Sequence, residues 1–437
     1  MFTSPQNTKL QDTLLTNARI IDPESGFDEH GSLLIKDGRI ADFGAHLVAN
    51  PPEAAEVIDC NNHILSPGLL DIQVHFRTPG QEHKEDIITG SKSSAAGGVT
   101  TSVCMANTTP TIDNVAVLDE LHQIVKDNSY VNIFSYASIT TGLKGDTLVD
   151  MDALKNAGAI GFSNDGLPVM NSLTMRRAME KAAELGILIA QHAEDSNLSD
   201  GGCMNEGKVS KQLGLKGVPN ASEAIIVERD LLLLELTGGH YHVLHISTHQ
   251  AIDAVRRAKA KGLNVTCEAA PHHFALTDEA VIKWDSLAKM NPPLRAEQDR
   301  VAIIEGLKDG TIDVIATDHA PHDPESKCVH ISDAAFGIVG LETMLPLSLA
   351  LYHNGTLSLS DVLGKMTHKA ADVIGKPLGR IKKGAVADLT LIDLDTKWTI
   401  RPEEFSSKSK NSPFDGYQVQ GRAIRTIVGG KTVFALD

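Results

Sequence analysis

The stretch Leu69-Leu70-Asp71-Ile72-Gln73-Val74-His75-Phe76-Arg77 is a strand candidate that ends in polar, chemically capable residues. Gln73, His75 and Arg77 alternate along it, so all three point to one face. Seven further segments are strand candidates: Thr100–Asn107, Val131–Ser138, Ala159–Asp165, Ile187–Glu194, Tyr241–Ser247, Asn264–Pro271 and Val314–Ala320. Helical patterns lie between most of them, as at Met175–Leu185, Gln250–Lys261 and Arg300–Lys308. Repeated βα units imply parallel strands. Eight such units fit a closed (β/α)8 barrel with right-handed crossovers and the helices outside.

Outward from this middle, both ends change grammar. Leu14–Ile21, Ser32–Lys36 and Arg39–Phe43 alternate around turns at Asp22–Gly26 and Lys36-Asp37-Gly38. Asp388–Ile392, Ala423–Val428 and Thr432–Ala435 repeat the pattern around Gly429-Gly430. This is hairpin chemistry, and it predicts one small β-sandwich built from both termini. The expected division is 1–66 and 377–437 for the sandwich and 67–376 for the barrel. Ser406–Ser412 reads as a polar surface loop of the sandwich, and Gly201–Gly217 as a mobile insertion between barrel units.

The bulk numbers agree. A chain of 437 residues has room for a barrel and an accessory domain. Aromatic residues make up only 4%, so the core must rest on Ala, Val, Ile and Leu. A formal net charge of -16 argues against nucleic acid as a partner, because phosphate binding needs basic patches. Cys60, Cys104, Cys203, Cys267 and Cys328 are scattered and form no C-x-x-C, which fits free thiols in a reducing compartment. Met1–Leu14 lacks a signal-peptide apolar run, and no stretch is long enough to cross a membrane. The expected location is cytoplasmic.

In such a barrel reactive residues sit at the C-terminal ends of the strands. Those ends carry His75 and Arg77, Asn107, Asp165, His192, His245, and then Asp318 and His322. One histidine at a strand end is usually just a hydrogen-bonded imidazole. Three histidines and two aspartates gathered at the same end of separate strands suit zinc or a similar divalent ion instead. Other features take plainer readings. His272-His273 reads as structural, and His240 and His242 as outside the barrel, on the face opposite His245. Gly97-Gly98 is not a phosphate loop, and there is no G-x-S-x-G elbow.

These residues sit in recognisable motifs. Pro67–Gly80 resembles the signature PGLxDxHxHxREPG of dihydroorotases. Ala96–Thr101, Met105–Thr108, Phe162–Gly166, Asn291–Arg295, Ala316–His322 and Phe336–Thr343 resemble further motifs of that family, in order. The resemblance is to the long, bacterial-type dihydroorotases, whose bridging metal ligand is an aspartate. It implies reversible conversion of (S)-dihydroorotate to N-carbamoyl-L-aspartate, a step of pyrimidine synthesis. It implies His75, Asp165, His192, His245 and Asp318 as zinc ligands, with Asp165 bridging and Asp318 also the catalytic proton carrier. Arg77, Asn107 and His322 would hold the substrate carboxylate, and Asn291 would make a further substrate contact. The chain departs from the family pattern at Gln73, where the motif has histidine, at Thr78 for glutamate, and at Asn164 for aspartate. An amide oxygen is a poorer zinc ligand than an imidazole nitrogen, so one ion is implied, or two with the Gln73 position the weaker. A homodimer or a complex with aspartate carbamoyltransferase is the implied assembly. Two alternatives stand beside this reading: a catalytically silent subunit that supports aspartate carbamoyltransferase, and a hydantoinase- or allantoinase-type amidohydrolase.

Overall fold

A computed structural model describes residues 1–3 and 10–436. All eight expected barrel strands are present. They are Leu69–Val74, Val99–Cys104, Asn132–Ser135, Gly161–Ser163, Leu188–Gln191, His240–Val243, Val265–Ala269 and Val314–Ile315. The first three and the last five each pair in parallel with their sequence neighbours. Two parallel bridges, Ala137↔Phe162 and Val74↔His319, join the three-stranded and five-stranded arcs into a ring. The segments between the strands carry helices with clear local signals. Asp86 and Thr89 form a reciprocal cap on helix Ile87–Ala96, and Gly186 closes Ser172–Leu185 at a positive φ of 61°.

Strand alternation divides the core in two. Leu70, Ile72, Val103, Met105, Tyr136, Ala190, Leu244 and Ala316 form one cluster inside the ring. Leu69, Ile189, Tyr241, Val243, Cys267 and Ala269 belong to the larger cluster shared with the helices. Helix His368–Val373 places Ala370, Ala371 and Val373 in the inner cluster. The expectation for His242 fails here. Its neighbours Tyr241 and Val243 face the helices, so His242 faces the interior, fully buried, with Nε2 at 3.1 Å from Glu268 Oε2. Alternation from His245 misled because the strand ends at Val243, and His245 sits at a positive φ of 31°.

The termini build one eight-stranded sheet. Its order runs Lys431–Ala435, Gln418–Val428, Leu389–Thr399, Ile64–Pro67, Thr13–Asp22, Phe27–Lys36, Arg39–Gly44, with Glu56–Asp59 also on Thr13–Asp22. The bridge Arg39↔Val386, with Ile40 N donating to Ala385 O at 2.9 Å, folds the far edge back toward the start of Leu389–Thr399. Leu15, Ile20, Leu33, Ile35, Leu389 and Ile427 fill the space enclosed. Asp37 and Gly38 have φ of 49° and 73°, as a two-residue hairpin turn requires.

One loop expectation is corrected, and a second region gains local structure. Ser407, Ser409, Asn411 and Ser412 are buried while Lys408 and Lys410 are exposed, so Ser406–Ser412 lies half-buried against the barrel and is not a free surface loop; acceptors distant in sequence take up several of its polar groups. The Gly201–Gly217 region contains a helix, Lys208–Leu213, and a short parallel pair, Met204–Asn205 with Gly217–Val218. It is fastened by buried Arg295, which donates to Asn205 Oδ1 at 3.3 Å and Val218 O at 2.9 Å. No helix of the described residues is long and apolar enough to cross a membrane, and all five cysteines are free.

Candidate metal centre and substrate pocket

The backbone just beyond the strand ends bends sharply. Arg77, His245 and Asp318 have positive φ of 60°, 31° and 50°. Non-glycine residues adopt this region only when their surroundings impose it, and such residues cluster at functional sites. The bends gather His75, Asp165, His192, His245 and Asp318 at one end of the ring, all of them buried.

Two groups of ligand atoms share Asp165. On one side, His192 Nδ1 lies 2.8 Å from His245 Nε2 and 3.4 Å from Asp165 Oδ1, with His245 Nε2 at 3.6 Å from that oxygen. On the other, His75 Nε2 lies 3.1 Å from Asp165 Oδ2 and 3.0 Å from Asp318 Oδ1. Ligands at roughly 2.0–2.1 Å around a tetrahedral ion stand roughly 3.3 Å apart, so these spacings fit a cation in each group. Gln73 is fully buried, its Oε1 has no hydrogen-bond partner, and its Nε2 is 3.5 Å from Asp165 Oδ2. An orphaned buried oxygen beside carboxylates also fits a cation held there. Burial opposes the charged imidazoles, but Asp165 and Asp318 outweigh it and raise His75 to about 9, while Asp165 and Glu194 raise His192 to about 10.

Supporting residues fix the rings. His75 Nδ1 meets Asn107 Oδ1 at 2.9 Å. His192 Nε2 meets Glu194 Oε2 at 2.9 Å, which leaves Nδ1 for the cluster. Asn291 Nδ2 donates to the same Glu194 oxygen at 2.6 Å. Glu194 was not singled out from sequence, although its place two residues beyond His192 on a strand end was a usable signal. Asp71, below the cluster, accepts from Gln73 N at 3.2 Å and from Thr317 N at 3.1 Å, so it ties the first barrel strand to the last.

Beside the cluster lies Arg77, 8% exposed. Its Nε donates to Pro321 O at 3.2 Å and its Nη2 lies 3.3 Å from His322 Nε2. Among the described residues it forms no ion pair with a carboxylate. Burial pulls its pKa down to about 10, so it remains a cation at neutral pH. His322 Nε2 also faces Phe336 O at 2.8 Å, which leaves its Nδ1 buried without a partner. Burial first, and then Arg77, push this imidazole to about 2, so it is neutral. His272 and His273 are buried apart from the cluster, with His273 Nε2 on Pro292 O at 3.0 Å.

Relatives share this whole arrangement of chain. Residues 62–251 match a family described as dihydro-orotase-like. A dihydroorotase of Ehrlichia chaffeensis is 57% identical over 424 residues, covering 96% of this chain and 94% of that one. The chain belongs to the dihydroorotase family. A more distant family member, a Geobacter dihydroorotase, is 49% identical over 96% of this chain and 99% of its own. Among solved structures, an L-hydantoinase from Arthrobacter aurescens superposes with a TM-score of 0.88 at 26% identity, covering 98% of both chains. The barrel with its accessory sheet is therefore an amidohydrolase fold, and the chain is a hydrolase of cyclic amides.

Proposed function

We propose that this protein interconverts (S)-dihydroorotate and N-carbamoyl-L-aspartate for pyrimidine synthesis, using zinc held by His75, Asp165, His192, His245 and Asp318. The observation that carries the substrate assignment is Arg77, a buried guanidinium next to the ligand cluster that forms no ion pair among the described residues. A carboxylate on the substrate would supply a counter-ion, and Arg77 can meet it with two parallel hydrogen bonds. Dihydroorotate carries such a carboxylate, whereas hydantoin and dihydrouracil do not.

When bound, the divalent ion supplies Lewis acidity toward the ring carbonyl and the attacking water. The chain does the rest. Asp318, aimed into the cluster by its positive φ, takes the proton from water and delivers it to the ring nitrogen as the C–N bond breaks. Asn107 holds His75 and borders the carboxylate position. His322 Nδ1 can accept from a substrate N–H or, once protonated beside an anionic ligand, donate to its carboxylate. Asn291, with Glu194, faces the ring from the His192 side. Gln73 offers its free oxygen to the position shared by His75 and Asp318, which makes that position the weaker one. The division of the chain at 66/67 and 376/377, and assembly as a homodimer or with aspartate carbamoyltransferase, belong to the same proposal.

A substrate panel tests it. Purified protein with zinc should open dihydroorotate and close N-carbamoyl-L-aspartate while turning over dihydrouracil and hydantoin at least 100-fold less efficiently. Equal efficiency on the neutral rings would overturn the carboxylate assignment. Molar mass in solution, with and without aspartate carbamoyltransferase, tests the assembly.

A further inference from the structure

The half-buried strap Ser406–Ser412 reaches from the accessory sheet onto the barrel. Glu342 Oε1 accepts from Ser406 N at 2.7 Å, Glu85 Oε1 accepts from Lys408 N at 3.1 Å, and Ser409 Oγ donates to Lys84 O at 2.6 Å. The strap ends in Asn411, 4% exposed, whose amide is fully used. Its Oδ1 accepts from His322 N at 3.2 Å. Its Nδ2 donates to Ala320 O and to Gly337 O, both at 3.0 Å. Its backbone oxygen accepts from Val339 N at 2.9 Å.

Those partners belong to the two segments that hold Arg77 and His322 in place. Pro321 O, inside the turn Ala320–His322, accepts from Arg77 Nε. Phe336 O, one residue before Gly337, faces His322 Nε2. The segments press together so closely that a Cβ on Gly337, at φ 126°, would stand 2.5 Å from Ala320 Cβ. One side-chain amide therefore bridges both walls of the pocket. Asp318 is fixed by other means: Thr317 N donates to Asp71 at 3.1 Å, and His75 N donates to His319 O at 2.9 Å.

We propose that Asn411 is a positioning residue for the substrate carboxylate, delivered to the barrel by the accessory sheet. It sets the turn Ala320–His322 and thereby the directions of the Arg77 guanidinium and the His322 ring. This rests on the reading of Arg77 and His322 as the carboxylate site. An aspartate at this position would turn an oxygen toward two carbonyls, and an alanine would leave two acceptors and one donor unpaired. Either change loosens the carboxylate pocket while the metal ligands keep their own supports.

Asn411→Ala and Asn411→Ser are the test, read by kinetics and by hydrogen exchange. The KM for dihydroorotate should rise about tenfold or more, because small misplacements of binding groups are costly. The kcat and the zinc content should stay within threefold of the parent. Exchange in the peptide spanning residues 318–323 should quicken, since the His322 amide loses its acceptor. An unchanged KM, or a fall in kcat at unchanged KM, overturns the proposal. Exchange also separates the two readings. If the parent protein does not turn over dihydroorotate, the substrate assignment fails, and unchanged exchange at 318–323 would independently refute the positioning role. Should neither variant fold, the parent protein with orotate, a planar ring bearing the same carboxylate, decides. Orotate should slow exchange in both 318–323 and 406–412, and slowing in the first peptide alone refutes the link.

Discussion

Replacing Arg77 by alanine probes the substrate pocket without touching the metal ligands. The guanidinium is 8% exposed, and its hydrogen-bond acceptor, Pro321 O at 3.2 Å, is neutral, while the nearby His322 Nε2 donates to Phe336 O. The fold thus bears the desolvation of a cation and, among the described residues, gains no ion pair in return. Two consequences follow in opposite directions. Stability should change little, because the loss of one hydrogen bond to Pro321 O is offset by relief of a buried charge. Binding should change greatly, because the substrate carboxylate loses its charge-assisted partner, worth about 2–4 kcal/mol. At about 1.4 kcal/mol per decade, that corresponds to a KM increase of roughly 30- to 700-fold. Steady-state rates over a wide dihydroorotate range give KM and kcat separately, and thermal unfolding gives stability. Arg77→Lys should fall between, since an ammonium keeps the charge and loses the planar fork. A KM within threefold of the parent, with Arg77→Ala folded and metal-loaded, would refute the reasoning and move the carboxylate elsewhere.

Three further outcomes are expected. Gln73→His should raise zinc content or lower the zinc concentration needed for half-maximal rate, measured by metal analysis and titration, because an imidazole nitrogen replaces an amide oxygen; unchanged zinc dependence would mean that Gln73 does not reach the ion. Glu194→Gln should weaken zinc retention roughly 10- to 100-fold in a chelator competition, because His192 loses the carboxylate that orients it; retention equal to the parent would assign Glu194 to substrate alone. Lys365→Met should flatten the alkaline stability profile. Burial lowers the Lys365 ammonium from 10.5 to about 8, so between those values the unfolded chain binds more protons and stability rises with pH, by about 3 kcal/mol over the full interval. Denaturant titrations at pH 8 and 10 should show a smaller rise in the variant, and parallel profiles would contradict the burial argument.

The barrel was readable because its strands are short apolar runs and six of the eight end in residues that carry the chemistry. Leu69–Val74 followed by His75 and Arg77 shows both features within nine residues. The cluster was readable for the same reason, since its five members mark the ends of five strands. The missing pieces depend on distant partners. The strands Glu56–Asp59 and Ile64–Pro67 are four residues each and are defined by pairing with Thr13–Asp22 and Leu389–Thr399. Ser406–Ser412 has the composition of a solvated loop, and distant partners such as Glu85, Glu342 and the turn at Ala320–His322 make it a half-buried strap. His242 was misplaced because alternation was extended through a bend that the sequence does not announce.

Metal content measured together with dihydroorotate turnover tests the central claim most directly. The same preparation would be assayed as purified, after exhaustive chelation, and after zinc is restored. The geometry of His75, Asp165, His192, His245 and Asp318 predicts at least one zinc per chain, loss of turnover with the metal, and recovery of both. Protein that holds no zinc and opens no dihydroorotate when zinc is supplied would contradict the account and leave the chain a silent member of its family.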